Sequence, residues 1–431
     1  MRVIVRSAGS VLGLLLLGAA VVPGGGSVQL AAATAPTFAK DVAPILYKAC
    51  ADCHRPGSIA PMALLSYDDV RPWARAVKQR VVSREMPPWG ADQAVGTFAN
   101  DPSLSTAEID TIVAWVDGGA PEGNAADLPK VPQFIEGWHI GKPDLVFKFV
   151  QPFRVPADGT VPYTYITVPT NLKEDVWVRG VEFRPTDRRV VHHIISDLVE
   201  GNGKAVDPTP RLQRDPAAKE IGGLGGYVPG RLDNLFDEGT ARKIPAGANI
   251  VLQMHYTTIG QAVDDSTEIG IVLSKEPPSK LRVAAGGSMP NVTFAIPPGD
   301  PNYEVSAKKT FDRDTYLHTL YPHMHVRGKD AKYTLTYPDG KQELLLSVPK
   351  YDFNWQLTYE LAEPKFVPKG STLSIVAHFD NSKGNRFNPD PTATVKWGDQ
   401  TWEEMLIGYF GTIEAGNGAA APTPRRRTGQ Q

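Results

Sequence analysis

At residues 320–329 the chain carries the stretch Leu320-Tyr321-Pro322-His323-Met324-His325-Val326-Arg327-Gly328-Lys329, in which two histidines lie two residues apart. Alternate side chains of a β-strand project from the same face of that strand. If this stretch is a strand, both imidazoles can reach one metal ion. An earlier adjacent pair, His192-His193, and a later methionine, Met405, could supply further ligands. The stretch therefore predicts a metal site that is built on β-structure.

The composition also favours a β-rich protein with more than one domain. A chain of 431 residues is long enough for two or three domains with cores of their own. Its 40 glycines and 38 prolines are many, and long helical patterns are few. The formal net charge of −2 gives no indication of nucleic acid or of an anionic surface as a partner.

Residues 145–415 show strand-like patterns separated by turn residues, most clearly at 145–150, 163–168, 175–183 and 190–199. A weak internal repeat also occurs, because a Pro-x-Gly turn twice leads through an apolar run to a histidine, from Pro245 to His255 and from Pro368 to His378. We therefore predict a mainly β chain. Its two tandem antiparallel, jelly-roll-like β-sandwich domains would span 145–280 and 281–414.

The adjacent histidines His192 and His193 impose a geometric requirement. Neighbouring side chains on a regular strand point to opposite faces. Both can bind one metal ion only at a strand end or at a β-bulge. We expect one of these irregularities at this position.

A different signature lies near the N-terminus. The sequence Cys50-Ala51-Asp52-Cys53-His54 is the CxxCH signature of covalent c-type haem. The two thiols would form thioethers with the haem, and His54 would become an axial ligand of the iron. A redox dithiol or half of a zinc site is the alternative, but a zinc site would need further Cys or His residues close by, and none follows for many residues.

The surroundings of this signature resemble a class I cytochrome c domain at residues 36–119. Helices are predicted at 38–49, 67–83 and 106–116, the last with Ser105 as its cap. The resemblance implies a methionine as the second axial ligand, in a loop before the last helix. Met86, in Arg84-Glu85-Met86-Pro87-Pro88-Trp89, matches that position, and Met62 is its rival.

The chain termini look like an export signal and a tail. Residues 1–35 combine early arginines, an apolar run at 11–22 that is short for a membrane span, and the small residues Ala31-Ala32-Ala33 before a cleavage point. We predict an exported, periplasmic or secreted protein with no membrane span in the mature chain, and an uncleaved anchor is the alternative. Residues 120–144 are predicted to be a linker, and residues 415–431 a disordered tail.

The ligand types leave several metals open. Imidazole suits Zn, Cu, Fe or Ni, and a thioether adds a preference for Cu(I). A blue-copper centre needs a cysteine ligand, whereas both cysteines belong to the haem signature. A zinc hydrolase that uses histidines alone remains possible.

Four motifs resemble the copper type II, ascorbate-dependent monooxygenases, the family of the peptidylglycine α-hydroxylating and dopamine β-monooxygenases. They are His192-His193, Leu252-Gln253-Met254-His255-Tyr256, His323-Met324-His325 and Glu404-Met405. The resemblance covers roughly residues 145–412. It implies one copper on His192, His193 and His255, which relays an electron. It implies a second, catalytic copper on His323, His325 and Met405, which binds dioxygen.

Together, the resemblance and the haem signature predict a copper-dependent monooxygenase that hydroxylates a C–H bond of a small organic substrate. Its cofactors would be one covalent haem c, which relays electrons, and two copper ions. Its partners would be the substrate, dioxygen and an external electron donor, either ascorbate or a periplasmic redox carrier. The alternative is a haem- and copper-containing electron-transfer or copper-binding protein without substrate turnover.

Three features depart from this family. Tyr321 stands where the peptide-amidating enzyme has an arginine that binds the peptide carboxylate, which weakens the case for a peptide-glycine substrate. Family members from animals are rich in disulfides, whereas this chain has only the two cysteines of the haem signature. His378 has no counterpart among the family's metal ligands.

Overall fold

The structure, a computed structural model, describes residues 35–201, 206–228, 233–276 and 282–415. The predicted signal at 1–35, the predicted boundary near 280 and the predicted tail at 415–431 lie outside the described residues, apart from Ala35 and Ala415. Within the described ranges no helix is both long enough and apolar enough to cross a membrane.

Helices occupy the three N-terminal stretches for which the sequence predicted them. They are a π-helical turn (Phe38–Val42), α1 (Ala43–Ala49), α2 (Tyr67–Val70), a 3-10 turn (Arg71–Trp73), α3 (Ala74–Val82) and α4 (Thr106–Asp117). Ser105 caps α4, as predicted, and it also forms a reciprocal capping box with Glu108. A small core with Phe38, Leu46 and Trp115 at its centre holds these helices together. We refer to residues 36–120 as the helical module.

Strands dominate the rest of the described chain. In order they are β1 (Leu145–Lys148), β2 (Phe153–Val155), β3 (Thr164–Pro169), β4 (Val176–Arg184), β5 (Val191–Val199), β6 (Glu220–Tyr227), β7 (Asp233–Leu235), β8 (Thr240–Ile244), β9 (Asn249–Tyr256), β10 (Val263–Asp265), β11 (Glu268–Leu273), β12 (Arg282–Asn291), β13 (Ala295–Ile296), β14 (Tyr303–Thr310), β15 (Thr315–His323), β16 (Gly328–Thr336), β17 (Gln342–Val348), β18 (Tyr359–Val367), β19 (Thr372–Phe379), β20 (Val395–Lys396) and β21 (Leu406–Glu414). The predicted mainly β class is confirmed.

The first β region places two sheets around one core. A four-stranded sheet has the order β3-β9-β5-β6, and β1, β11, β4 and β8 form one half of a larger sheet. Apolar side chains of both sheets, such as Ile194, Leu252, Val181 and Ile271, meet in a continuous buried cluster. Burial of this apolar area stabilises the pairing of the two sheets.

The second β region repeats this plan. A four-stranded sheet with the order β14-β19-β16-β17 packs on β12, β21, β15 and β18, with Leu317, Tyr333, Ile375 and Phe410 in the shared core. The larger sheet is continuous through both regions, because β8 pairs in parallel with β12 at Thr240 and Arg282.

An extended segment of the helical module attaches to the second β region. We call residues 89–100 the docking arm. Phe98 forms an antiparallel bridge with Leu361 of β18. The Ala99 N–H donates to the Glu360 carbonyl oxygen, and the Asp92 N–H donates to the Ser347 carbonyl oxygen, both at 2.8 Å. The rings of Trp89 and Phe98 join the core of the second β region.

The glycine-rich run Gly222-Gly223-Leu224-Gly225-Gly226 lacks the Gly-Lys-Ser/Thr of a phosphate-binding loop, and its composition predicts a flexible loop. This prediction is wrong, because the run lies in β6 and pairs with β5. A side chain on Gly226 would place its Cβ only 2.6 Å from the Ile194 carbonyl oxygen. The glycine at this position therefore allows a close approach of two strands.

Candidate metal centre

The first histidine group lies where two neighbouring strands carry their histidines side by side. Strand β5 changes its register against β9 between Val191 and His193, which is the irregularity that the adjacent histidines required. His193 pairs directly with His255 across the strands. The Nδ1 atoms of His192 and His193 lie 3.1 Å apart. One nitrogen from each of His192, His193 and His255 falls within 4.8 Å of the others, so these three residues could hold one ion.

The second histidine group differs from the predicted strand geometry. Strand β15 ends at His323, and His325 lies in the turn that follows it. The two rings nevertheless approach each other, with their centroids 5.4 Å apart. The turn is held by Glu404, whose carboxylate accepts the backbone N–H groups of His325 at 2.8 Å and of Arg327 at 2.7 Å.

Hydrogen bonds fix which ring nitrogen of the second group is free. His323 Nδ1 lies 2.6 Å from the Gln356 side-chain oxygen, and His325 Nδ1 lies 3.2 Å from the Glu403 carbonyl oxygen. Because both partners can only accept, each Nδ1 carries the proton and donates it. Each Nε2 therefore keeps a lone pair that can bind a metal ion.

Met405 lies beside this group although it is eighty residues away in sequence from His325. Its backbone N–H donates to the same Glu404 oxygen that accepts from the His325 backbone, at 3.1 Å. It directly precedes β21, whose Ile407 pairs with His323 of β15. Strand β21 thus begins one residue after Met405, and Met405 is buried next to the histidine turn.

The two histidine groups lie against each other, and we call the five residues the histidine basin: His192, His193, His255, His323 and His325. The ring centroids of His193 and His323 are 6.2 Å apart. The side-chain nitrogen of Gln356 lies 3.4 Å from His193 Nδ1, so this amide contacts one nitrogen of each group. Sequence reasoning found the histidines but missed Gln356, which no motif marked.

Two aromatic rings also border both groups. The Tyr163 ring centroid lies 4.7 Å from that of His255 and 5.6 Å from that of His325. The Phe353 ring stacks on His192 at 5.6 Å and meets His325 at 6.1 Å. Tyr163 is fully buried, so these rings help to exclude water from the basin. Neither residue was indicated by the sequence.

Burial keeps the basin histidines neutral. It lowers the pKa of His192 and of His323 to about 4 and that of His325 to about 3, and it lowers the pKa values of His193 and His255 well below the usual range. Neighbouring histidines lower the pKa values of His193 and His255 further. Neutral imidazole is the form that binds metal ions.

Four ring nitrogens of the basin are buried without a hydrogen-bond partner in the part of the chain that the structure describes. They are His193 Nε2, His255 Nδ1, His323 Nε2 and His325 Nε2. A buried polar atom without a partner is costly, and such cases call for a specific explanation. Metal ions would satisfy these lone pairs, and the combination of imidazoles with a nearby thioether fits copper.

His378 lies outside the basin. Its Nδ1 is 2.7 Å from an Asp330 carboxylate oxygen, and its Nε2 is 3.5 Å from a Glu304 oxygen, on the outer four-stranded sheet. His255 and His378 hold equivalent positions in the weak sequence repeat. Their surroundings nevertheless differ, because His378 lies beside carboxylates and His255 lies beside other histidines.

The haem signature follows the end of α1. Cys50 and Cys53 are free of a disulfide, and burial raises the pKa of the Cys50 thiol to about 12. His54 Nδ1 lies 3.2 Å from the Met62 carbonyl oxygen, so it donates its proton there and leaves Nε2 available for iron. Burial lowers the pKa of His54. This arrangement fits a c-type haem.

The two candidate methionines of the haem site have different surroundings. Met62 packs against the core of the helical module, and its carbonyl oxygen accepts a hydrogen bond from His54 Nδ1. Met86 is half-buried and comes three residues before Trp89, the first residue of the docking arm. The Met62 backbone is thus engaged with His54, and Met86 stays the predicted second ligand of the haem.

An open groove of about 510 Å³ borders the basin. Its lining includes Pro162, Trp397, Asp399, Trp402 and Glu403. Pro162 directly precedes Tyr163, and the Glu403 carbonyl oxygen accepts from His325. The groove therefore ends against residues that border the second histidine group.

A second cavity of about 280 Å³ lies between the two β regions. Tyr321 and Tyr409 line it. The Tyr321 hydroxyl donates to the Gln356 side-chain oxygen at 2.9 Å, so one wall of this cavity contacts the amide between the two histidine groups.

Comparisons with known proteins leave the family open. No protein-family model and no curated protein matches the chain. Among solved structures, the major capsid protein P2 of bacteriophage PM2 is 8% identical, with 64% of this chain and 99% of that chain covered and a TM-score of 0.29. An allantoicase structure is 10% identical, with 53% of this chain and 79% of that chain covered and a TM-score of 0.18. Similarities this low carry no argument about function.

Proposed function

We propose that this protein is an exported copper-dependent monooxygenase that hydroxylates a C–H bond of a small organic substrate and receives electrons through a covalent c-type haem. The observation that carries the proposal is the basin of five neutral histidines, with four buried ring nitrogens that lack partners among the described residues. In this proposal the helical module is a class I-like cytochrome c domain. The two β regions are tandem jelly-roll-like copper domains.

The ligands divide into two sets. His192, His193 and His255 would hold one copper ion, and His323, His325 and Met405 would hold the other. Copper would supply one-electron redox chemistry and dioxygen binding, which amino-acid side chains cannot supply. Cys50, Cys53, His54 and Met86 would hold the haem, whose His/Met ligation suits single-electron transfer.

The chain's own residues prepare this site. Gln356 and the Glu403 carbonyl oxygen hold the Nδ1 protons of His323 and His325, which orients both Nε2 lone pairs. Glu404 ties the histidine turn to Met405. Tyr163 and Phe353 exclude water, and the 510 Å³ groove offers an open approach for a substrate.

An electron-transfer or copper-storage role without turnover is the second candidate. The burial of the basin favours it, because His323 and His325 are both 0% exposed. A substrate would need a local opening beside Tyr163 to reach the second histidine group. Substrate-dependent oxygen uptake separates the two functions.

The test is metal and haem analysis of periplasmically matured protein, followed by oxygen uptake with compounds that have activated C–H bonds. We expect one haem and two copper ions per chain, and oxygen consumption that depends on an organic substrate. A single zinc ion that survives both His192→Ala and His323→Ala would overturn the copper assignment. Two bound copper ions without substrate-dependent oxygen uptake would favour the electron-transfer role.

A further inference from the structure

The two proposed metal sites share their walls. Gln356 is 2% exposed, and its amide contacts His323 through oxygen at 2.6 Å and His193 through nitrogen at 3.4 Å. Tyr163 and Phe353 each contact histidines of both groups. The two groups therefore meet through shared neighbours, of which Gln356 and Tyr163 are buried and Phe353 is half-buried.

We propose that the histidine basin binds its two metal ions as one coupled pair, so that the first ion lowers the affinity for the second. This inference rests on the proposed function, in that it takes both ligand sets to bind copper. It goes further by assigning a dependence between them. Two independent sites would instead bind their ions with affinities that do not change when the other site is filled.

Electrostatics supports the coupling. Charges in a water-poor interior repel each other more strongly than charges in water, and salt screens buried charges poorly. The ring centroids of His193 and His323 are 6.2 Å apart, so ions on the two groups would be near neighbours. Gln356, which contacts both groups, is neutral. The Asp352 carboxylate acts on the first group, where its charge raises the pKa of His192. At the second group the Glu404 oxygens already accept three backbone N–H groups.

The experiment titrates the full-length, haem-loaded, metal-free protein with Cu(II). Copper binding and the electron paramagnetic resonance spectrum are recorded at each addition. His192→Ala and His323→Ala each disable one ligand set, and His255→Ala and His325→Ala repeat the test with different residues in case one variant misfolds. His378→Ala is the matched control, because this histidine lies outside the basin and pairs with Asp330.

We expect the parent protein to bind two copper ions. The ligand set that fills second should bind its ion at least tenfold more weakly in the parent than in the variant whose other set is disabled. The spectrum of the doubly loaded protein should show magnetic interaction between two Cu(II) ions, whereas each single-site variant should show an isolated ion. The His378→Ala variant should behave like the parent.

Other results would overturn the coupling. Suppose that the parent binds two copper ions with the affinities measured in the two single-site variants, and that its spectrum is the sum of theirs. The sites are then independent, although the proposed function stands. If the parent binds one copper ion or none, both the coupling and the two-copper function fail.

Discussion

At the residue scale, Met405 was predicted as a metal ligand from its chemistry, before its place in the fold was known. A thioether is a soft ligand, and its Glu-Met context resembled the ligand strand of a copper family. The sequence could not show that Glu404 holds the Met405 backbone beside His325, because that contact depends on residues far apart in sequence. Tyr163 and Phe353 were not predictable, since isolated aromatic residues occur in most cores. Gln356 was not predictable either, because it belongs to no motif.

The first prediction concerns the Met405 side chain. Replacing Met405 with Ile keeps its bulk and apolarity but removes the thioether, so the fold and the copper on His192, His193 and His255 should be retained. Copper on the second group should bind more weakly, and substrate turnover should be lost. Copper analysis and oxygen uptake measure this, and full activity would show that Met405 serves only as packing.

The second prediction concerns the Glu404 carboxylate, which accepts backbone N–H groups of His325, Arg327 and Met405. In Glu404→Gln, the amide NH₂ must face a backbone donor, which leaves a buried N–H without an acceptor and costs about 1–3 kcal/mol of stability. We also expect copper affinity at the second group to fall by about 10–100-fold, because the orientation of its ligands is loosened.

Urea unfolding and copper titration measure these effects. Glu414→Gln is the matched control, because Glu414 is exposed at the end of β21 and should change neither quantity. Unchanged copper affinity in Glu404→Gln would mean that the turn at His325 holds its shape without this carboxylate.

At the element scale, the local structure predicted for the first histidine pair agrees with the fold, whereas that predicted for the second pair does not. The irregularity at His192 and His193 was predictable, because adjacent ligands on a strand demand it, and the register shift in β5 confirms it. The end of β15 at His323 was not predictable. An alternating His-x-His pattern fits a strand. The turn depends on contacts with residues that are distant in sequence: Glu404 accepts the backbone N–H groups of His325 and Arg327, and the Tyr351 hydroxyl bonds both backbone groups of Met324.

The third prediction concerns the docking arm. Trp89 lies with its ring centroid 4.9 Å from that of Tyr359 and 5.8 Å from that of Phe98. Trp89→Ala removes much of the apolar contact between the helical module and β18, and should lower the stability of the protein by about 1–3 kcal/mol. It should also weaken the methionine-to-iron absorption band of the haem, since Met86 comes three residues before this anchor.

The matched control for Trp89→Ala is Trp73→Ala, because Trp73 lies in the helical module and is 46% exposed. Thermal unfolding and the visible absorption spectrum of the full chain measure both variants. A methionine band that is unchanged in Trp89→Ala would show that the arm does not position Met86. A band lost in Met62→Ala but retained in Met86→Ala would reverse the ligand assignment.

At the scale of the whole molecule, the β class and the order of helical and β regions followed from composition and periodicity. The continuity of one sheet through both β regions did not, because it rests on the short parallel pairing of β8 with β12. The basin depends on the same long-range arrangement, since its histidines come from β5, β9, β15 and the turn after β15. The motifs and the family resemblance therefore predicted the members of each proposed ligand set without indicating that the two histidine groups touch.

The last prediction concerns pH and the metal-free protein. Histidine has a pKa near 6.5 in an unfolded chain, whereas the pKa of buried His323 is about 4. Between these values the unfolded state binds a proton that the folded state does not, so stability falls as the pH is lowered. For His323 alone the loss between pH 7 and pH 5 is about 2 kcal/mol.

The other four basin histidines have lowered pKa values and act in the same direction. Glu404 acts against them, because burial raises its pKa to about 7 and its protonation in the folded state favours folding at lower pH. Burial also raises the pKa values of Asp197 and Asp265, which therefore act in the same direction as Glu404. The five histidines should still outweigh these three carboxyl groups and give a net loss of more than about 2 kcal/mol from pH 7 to pH 5, measured as the urea unfolding free energy of the metal-free chain. Equal stability at the two pH values would show that the basin histidines take up protons without unfolding, and hence that the basin opens to water in the absence of metal.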